Sequence, residues 1–293
     1  MDKPAAAAVS APTPLRDWPA RIGLKPGENV LLSADITRIA WVHRRSGAAR
    51  IPALLLDAFL DHLGPSGTLA VPTFNHDLRD GEPYDPQRTA PITGAVPSAA
   101  VQHPSFKRTA HPLHSFAIAG SGQDRFLALA DASSFSQASP FALFRSEGFK
   151  VIGIDMDLDY AFSYFHHVEE LEQVPYRRWK DYTIRYRQGA SETVRTFRLY
   201  SKRWGYANRL RDLEPLLVEA GACEHLSIDG SRVIAVDVAR SHSVIERDIR
   251  HHGARNIVHF TWRNWMRDAL NTIRPQRLSR SASRLQDAAP RPH

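Results

Sequence analysis

The stretch KVIGIDMDLDYAFSYFHHVEEL, residues 150–171, changes its hydrophobic period part-way along. Lys150 to Ile154 is a short apolar run of the kind a buried strand needs, and past the three acids the chain runs into Phe162 to Leu171, where a helix can start. A strand that feeds a helix is the repeating unit of an α/β layer fold. Asp155, Asp157 and Asp159 follow the strand at period two, so as its continuation they share one face at the end where open α/β sheets bind ligands. A helix beginning there puts His166 and Glu169 at i and i+3, within reach of each other. An imidazole held by a carboxylate is a general base with its orienting partner; the same spacing also suits a histidine that only caps or packs.

Working outward, further apolar runs predict strands at Asn29 to Leu32, Thr68 to Val71, Phe116 to Gly120 and Val233 to Val238. Pro52 to Leu63 carries Leu55, Leu56, Phe59, Leu60 and Leu63 at helical spacing and is stopped by Gly64 and Pro65. Arg125 to Asp131 and Arg209 to Ala220 also read as helices. Tyr182 to Tyr200 alternates around a Gln188-Gly189 turn and predicts a β-hairpin appended to the main layer. The Ala, Pro and Ser-rich start and the Arg, Ser, Ala and Pro-rich end have no hydrophobic period. The expected division is a disordered tail over residues 1–18, a folded domain over 19–273 and a basic disordered tail over 274–293.

With 293 residues, 43% of them apolar, the chain can enclose a substantial core. A single cysteine, Cys223, excludes an intrachain disulfide and a zinc knuckle and fits a reducing, cytoplasmic setting. No apolar run reaches the roughly 18 residues of a spanning helix, so no membrane partner is expected. The formal charge is +7, but five arginines against Asp287 from Thr272 onward account for +4 of it. The weakly basic remainder does not point to nucleic acid.

Arg108 to Ser115 reads RTAHPLHS and precedes an apolar strand, so an arginine, two histidines and a hydroxyl could form an anion-binding loop or merely a surface turn. Asp155, Asp157 and Asp159 imitate the opening of a calcium loop, yet Tyr160 stands where that loop requires glycine and His166 where it requires glutamate. Zinc held by His111, His114, His166 and Glu169 lacks a diagnostic spacing, and no metal is expected. Ala119 to Gly122 lacks the signature of a phosphate loop. Phe260, Trp262, Trp265, Met266 and Leu270 suit the core or a subunit contact in a homodimer better than a stacking surface for bases.

Four segments in order, Gly67 to Asn75 with Pro72-Thr73-Phe74, Tyr84-Asp85-Pro86, Arg108 to Ser115, and Gly153 through His166-His167-Val168-Glu169, resemble the aminoglycoside 3-N-acetyltransferases. That family carries MPTF, FDP, RS-x-HP-x-x-S and LH-x-x-E segments at similar intervals, and the resemblance covers about Arg21 to Ala254. It implies a three-layer α/β/α acyltransferase domain that moves an acetyl group from acetyl-CoA, the acyl-donor co-substrate, to the amino group of an aminoglycoside or amino-sugar-like small molecule. His166 and Glu169 would be the catalytic pair. Ser33, Asp35, Thr73, Phe74, Arg108, His111 and Ser115 would bind the donor, with Thr73 and Ser115 near the oxyanion, and Asp155, Asp157 and Asp159 would lie near the acceptor.

The chain departs from the family where a His-Ser-Ser-Leu-like stretch is replaced by Ser33-Ala34-Asp35-Ile36, while a hydroxyl before the catalytic histidine survives as Ser163. The arginines of the predicted hairpin are also unlike a pocket for polycationic drugs, which leaves a smaller or acidic amine open. Two other classes compete with acyl transfer: a metal-dependent hydrolase built on the His and Asp cluster, and a non-catalytic homologue that only binds ligand.

Overall fold

Alternation along single strands sorts the core into two layers, because successive side chains of a strand point to opposite faces. In β1 (Asn29–Ala34) Leu31 joins one buried cluster, and Val30 and Leu32 join the other. The computed structural model describes residues 11–45, 47–130 and 132–273. After β1 come β2 (Thr68–Pro72), β3 (Pro83–Tyr84), β4 (Lys107–Arg108), β5 (Phe116–Gly120) and β6 (Lys150–Ile154). The second half adds β7 (Arg177–Gln188), β8 (Ser191–Lys202), β9 (Tyr206–Asn208), β10 (Cys223–Ile228), β11 (Ser231–Asp237) and β12 (Val258–Phe260).

The central seven-stranded sheet has the order β10-β11-β6-β1-β2-β5-β4. Its middle strands β6, β1 and β2 are parallel, and β11 and β5 flank them antiparallel. One face is covered by α1 (Trp18–Arg21), α2 (Thr37–Arg45), α3 (Ile51–Leu63) and α4 (Ala95–Gln102). The other carries α5 (Gln123–Leu127), α6 (Pro140–Ser146), α7 (Leu158–Ala161), α8 (Phe165–Leu171), α9 (Glu214–Glu219) and α10 (Val238–His252). The fold is thus α/β/α, in keeping with the α/β pattern of the sequence and with the three layers the resemblance implied. No helix among the described residues is long and apolar enough to cross a membrane.

The hairpin is present and longer than its alternating core. β7 and β8 pair over their full lengths, from Gln188 opposite Ser191 to Arg177 opposite Lys202, and β3 adds a third strand parallel to β7. Tyr84, Leu113, Ile184, Tyr186 and Phe197 give it a separate small core.

Several boundaries differ from the sequence reading. Residues 11–18 do not continue the expected tail: Leu15 and Trp18 are buried, and Thr13 N–H donates to Asp229 Oδ2 at 2.7 Å. Residues 1–10 and the basic tail from 274 lie outside the described residues. Arg209 to Ala220 is not one helix, because Pro215 starts α9 afresh after a 3-10 turn at Leu210–Asp212. The aromatic set near the end is not core: on α11 (Trp262–Ile273) Trp262 is 70% and Met266 54% exposed.

Candidate active site

β6 stops at Ile154 because Asp155 takes a left-handed conformation, φ 50°. The chain then turns into α7, which can pack on β6 only because residue 153 is glycine: a Cβ there would lie 2.8 Å from Ala161 Cβ. α8 follows at once and sets His166 and Glu169 on one face, one turn apart.

His166 Nδ1 lies 2.7 Å from Glu169 Oε2. The carboxylate has no exposure, and Tyr176 Oη donates to its Oε1 at 2.9 Å. Arg177 Nη2 stands 2.5 Å from both Glu169 Oε2 and His166 Nδ1, and Nη1 donates to Tyr200 O at 2.7 Å. Burial opposes ionisation of Glu169, but the guanidinium and the imidazole hold its carboxyl down to about 2. Burial, and after it the Arg177 charge, push His166 down to about 4, so at neutral pH the ring is uncharged. A carboxylate only accepts, so Nδ1 carries the proton and Nε2 keeps its lone pair. Packed against the rings of Phe135 and Phe165 and 17% exposed, His166 lines the main cleft.

That cleft encloses about 1180 Å³ and opens along the carboxyl ends of β1, β2 and β6. One arm runs between Ser33 to Thr37, Pro72, Phe74 and the Ile92 to Ala95 segment; the other runs between Asp159, Ser201 to Trp204, Tyr206 to Asn208 and α11. Ser163 and His114 line the cleft together with His166. A neighbouring hollow shares Asp159, Lys202 and Asn208 with the second arm.

The structure gathers Ser33, Asp35, Phe74, Asp159 and His166 on this cleft, with Glu169 behind His166. It does not gather the rest. Arg108 is a buried clamp: Nε donates to Thr73 Oγ1 at 3.0 Å and Ser115 Oγ at 2.8 Å, and Nη1 to Thr89 O at 2.6 Å. Nη2 serves Thr73 O and the Asn75 side-chain oxygen. Each of its nitrogens is thus engaged within the protein, and Arg108 does not line the cleft, so no two-pronged fork is open to a phosphate. Thr73 and Ser115 hydroxyls lie 3.0 Å apart with no exposure, closed off from any oxyanion.

His111 Nδ1 accepts from the N–H groups of Leu113 and His114, both at 3.3 Å, while Nε2–H donates to Ala132 O at 3.2 Å. Burial holds it down to about 4. It shapes the loop instead of lining the cleft. Asp155, Asp157 and Asp159 do not share a face either, since the backbone leaves the strand at the first of them. Asp155 accepts from Arg232 N–H at 2.8 Å, Asp157 pairs with the Arg232 side chain at the neighbouring hollow, and Asp159 accepts from Leu210 N–H at 3.0 Å.

Sequence reasoning missed Arg177, Lys202 and Asn208. Counting back from the Gln188-Gly189 turn would have placed Arg177 opposite Lys202, which was the available signal.

Residues 31–266 match the model of the family described as aminoglycoside 3-N-acetyltransferase. An aminoglycoside N(3)-acetyltransferase IV from Salmonella sp. is 34% identical over 131 residues, 43% of this chain and 48% of that protein, so the match spans about half of that relative's length. Among solved structures, aminoglycoside acetyltransferase AAC(3)-Xa superposes with a TM-score of 0.71 at 24% identity, over 81% of this chain and 92% of its own. AAC-IIIb, solved as a binary complex with CoASH, gives 0.70 at 21% identity, over 81% and 95%. The structural likenesses carry the fold and the family match carries the ordered segments, and together they show that this chain belongs to the aminoglycoside 3-N-acetyltransferase family.

Proposed function

We propose that the chain transfers an acetyl group from acetyl-CoA to an amine bound in the cleft, with His166 as general base and Glu169 as its orienting carboxylate. The observation that carries this reading is the 2.7 Å contact of His166 Nδ1 with the buried Glu169 carboxylate, on a ring that lines a cleft of about 1180 Å³.

An amine is protonated at neutral pH and must lose a proton to attack a thioester carbonyl. The uncharged His166 ring can accept that proton at Nε2, and Glu169 then faces the imidazolium across the Nδ1–H bond. Family membership supports acetyl-CoA as donor, and AAC-IIIb is a relative solved with CoASH. The first arm suits the pantetheine chain: Ile36, Phe74 and Ile92 supply an apolar wall, and Ser33 and Asp35 supply polar groups. Asp159 lines the second arm, which supports a role for its carboxylate beside the acceptor ammonium. Among the described residues no three His, Cys, Asp or Glu side chains come together to hold a metal ion. The observations therefore favour acyl transfer over metal-assisted hydrolysis.

The test is release of CoA thiol from acetyl-CoA in the presence of an aminoglycoside such as sisomicin, by the wild-type protein and by H166A. Turnover that depends on His166 is the expected result. Near wild-type turnover by H166A removes the base assignment. A melting temperature unmoved by saturating acetyl-CoA counts against the donor.

A further inference from the structure

The hairpin sets Arg177 and Lys202 directly opposite each other at its base. Like charges in that position destabilise a sheet, so a pair of cations there needs anions nearby. Glu169 is the buried carboxylate between helix and hairpin, and it is already saturated by His166, Arg177 and Tyr176. Lys202 donates from Nζ to the neutral side-chain oxygen of Asn208 at 2.8 Å, while the carboxylates of Glu169, Asp159 and Asp268 act on it from further away. Burial, and after it the Arg177 charge, hold its ammonium down to about 8. Arg177 keeps its Nε buried and without a hydrogen-bond partner. Both side chains line the second arm of the cleft, and Arg203 lies beside them.

Two other carboxylates line that arm. Asp268 Oδ2 accepts from Gly205 N–H at 3.0 Å and its Oδ1 faces Arg267, while Asp159 is turned to Leu210 N–H. Glu169, Asp159 and Asp268 face Arg177, Lys202, Arg203 and Arg267 there, so this part of the cleft keeps a net positive charge, the opposite of what a polycationic acceptor requires.

We propose that the amine acetylated here also bears a carboxylate or phosphate, which enters the second arm and completes the charge of the Arg177–Lys202 pair. This rests on the acyl-transfer reading of the same cleft and names the substrate class. The amino group lies toward His166 and Asp159, and the acidic group lies toward Lys202. A charge-assisted hydrogen bond of this kind corresponds to a discrimination of about tenfold or more.

The experiment measures thiol release from acetyl-CoA with matched amines that differ by one acidic group: glucosamine 6-phosphate against glucosamine, and phenylalanine against phenethylamine, with sisomicin as the polycation. The expected result is a kcat/KM at least about tenfold higher for the acidic member of one pair or both. K202M should bring that ratio close to one, and K202R should retain it, with the KM for acetyl-CoA unchanged in both variants. Melting temperatures of the two variants check that they are folded. Equal or better use of the neutral amines or of sisomicin overturns the proposal and leaves acyl transfer standing. A K202M variant that raises the KM for acetyl-CoA and keeps the acceptor ratio overturns it too, because Lys202 then serves the phosphates of the donor. No thiol release with any of these amines removes the acyl-transfer reading and this proposal with it.

Discussion

Glu169 and Arg177 form a buried ion pair at 2.5 Å that joins helix α8 to hairpin strand β7, and both side chains are almost wholly shielded from solvent. The hairpin is thereby tied to the His166–Glu169 pair. Its arginine neutralises the carboxylate that orients His166 and at the same time keeps the His166 ring uncharged.

Removal of the imidazole tests the base directly. H166A should lower kcat by about two to four orders of magnitude. Its acetyl-CoA affinity, read by isothermal calorimetry, should stay within about threefold, because the ring is assigned to the proton and not to donor binding.

Removal of the orienting charge should act on the fold as well as on turnover. E169Q leaves Arg177 buried without its counter-ion, which costs on the order of 3–5 kcal/mol. For a domain of this size that lowers Tm by roughly 6 °C or more. An E169Q protein as stable as wild type by differential scanning calorimetry would contradict the ion-pair account.

Acid should destabilise the molecule before its carboxylates titrate. His111, His166 and His242 are each held down to about 4, chiefly by burial, and burial also holds His114 well below the ordinary imidazole range. Between pH 6.5 and 4 the unfolded chain binds more protons than the folded one, so stability rises with pH across that window. It is fully present above about pH 6.5 and is lost as the pH falls toward 4, at about 1.4 kcal/mol per pH unit for each such histidine. Urea midpoints measured at pH 7.5, 6.0 and 5.0 should fall in that order.

The arginine clamp gives an opposite signature to a phosphate site. R108M strips donors from Thr89 O and the Asn75 side-chain oxygen and leaves Thr73 O only the Ser115 hydroxyl, at about 1–3 kcal/mol for each acceptor left without a partner. A marked loss of Tm with an acetyl-CoA KM changed less than about twofold is expected. A KM raised tenfold or more in a protein of normal Tm would return Arg108 to the donor site.

The strands from Asn29, Thr68, Phe116, Lys150 and Val233 were legible because burial on both faces demands uninterrupted apolar runs, which a short window of sequence displays. β10 was not: its Glu224, His225 and Ser227 face outward on an edge strand, so local composition resembles a loop. His166 and Glu169 were legible because i and i+3 on one helix is a local relationship. Leu15 and Trp18 were missed as core because a short segment has no period of its own and is ordered by what it packs against.

Sequence alone determined the layered α/β plan, the appended hairpin and the His166–Glu169 pair, since periodicity and one-turn spacing are set within a dozen residues. Tertiary structure decided which polar groups face a ligand. Arg108, Thr73 and Ser115 have the composition of an anion site, yet they saturate one another across 35 and 42 positions of chain. Lys202, which no motif marked, lines the same cleft as His166 and bonds only the neutral Asn208 side chain among the described residues. Whether a donor or a charge is free depends on distant neighbours that only folding brings into contact.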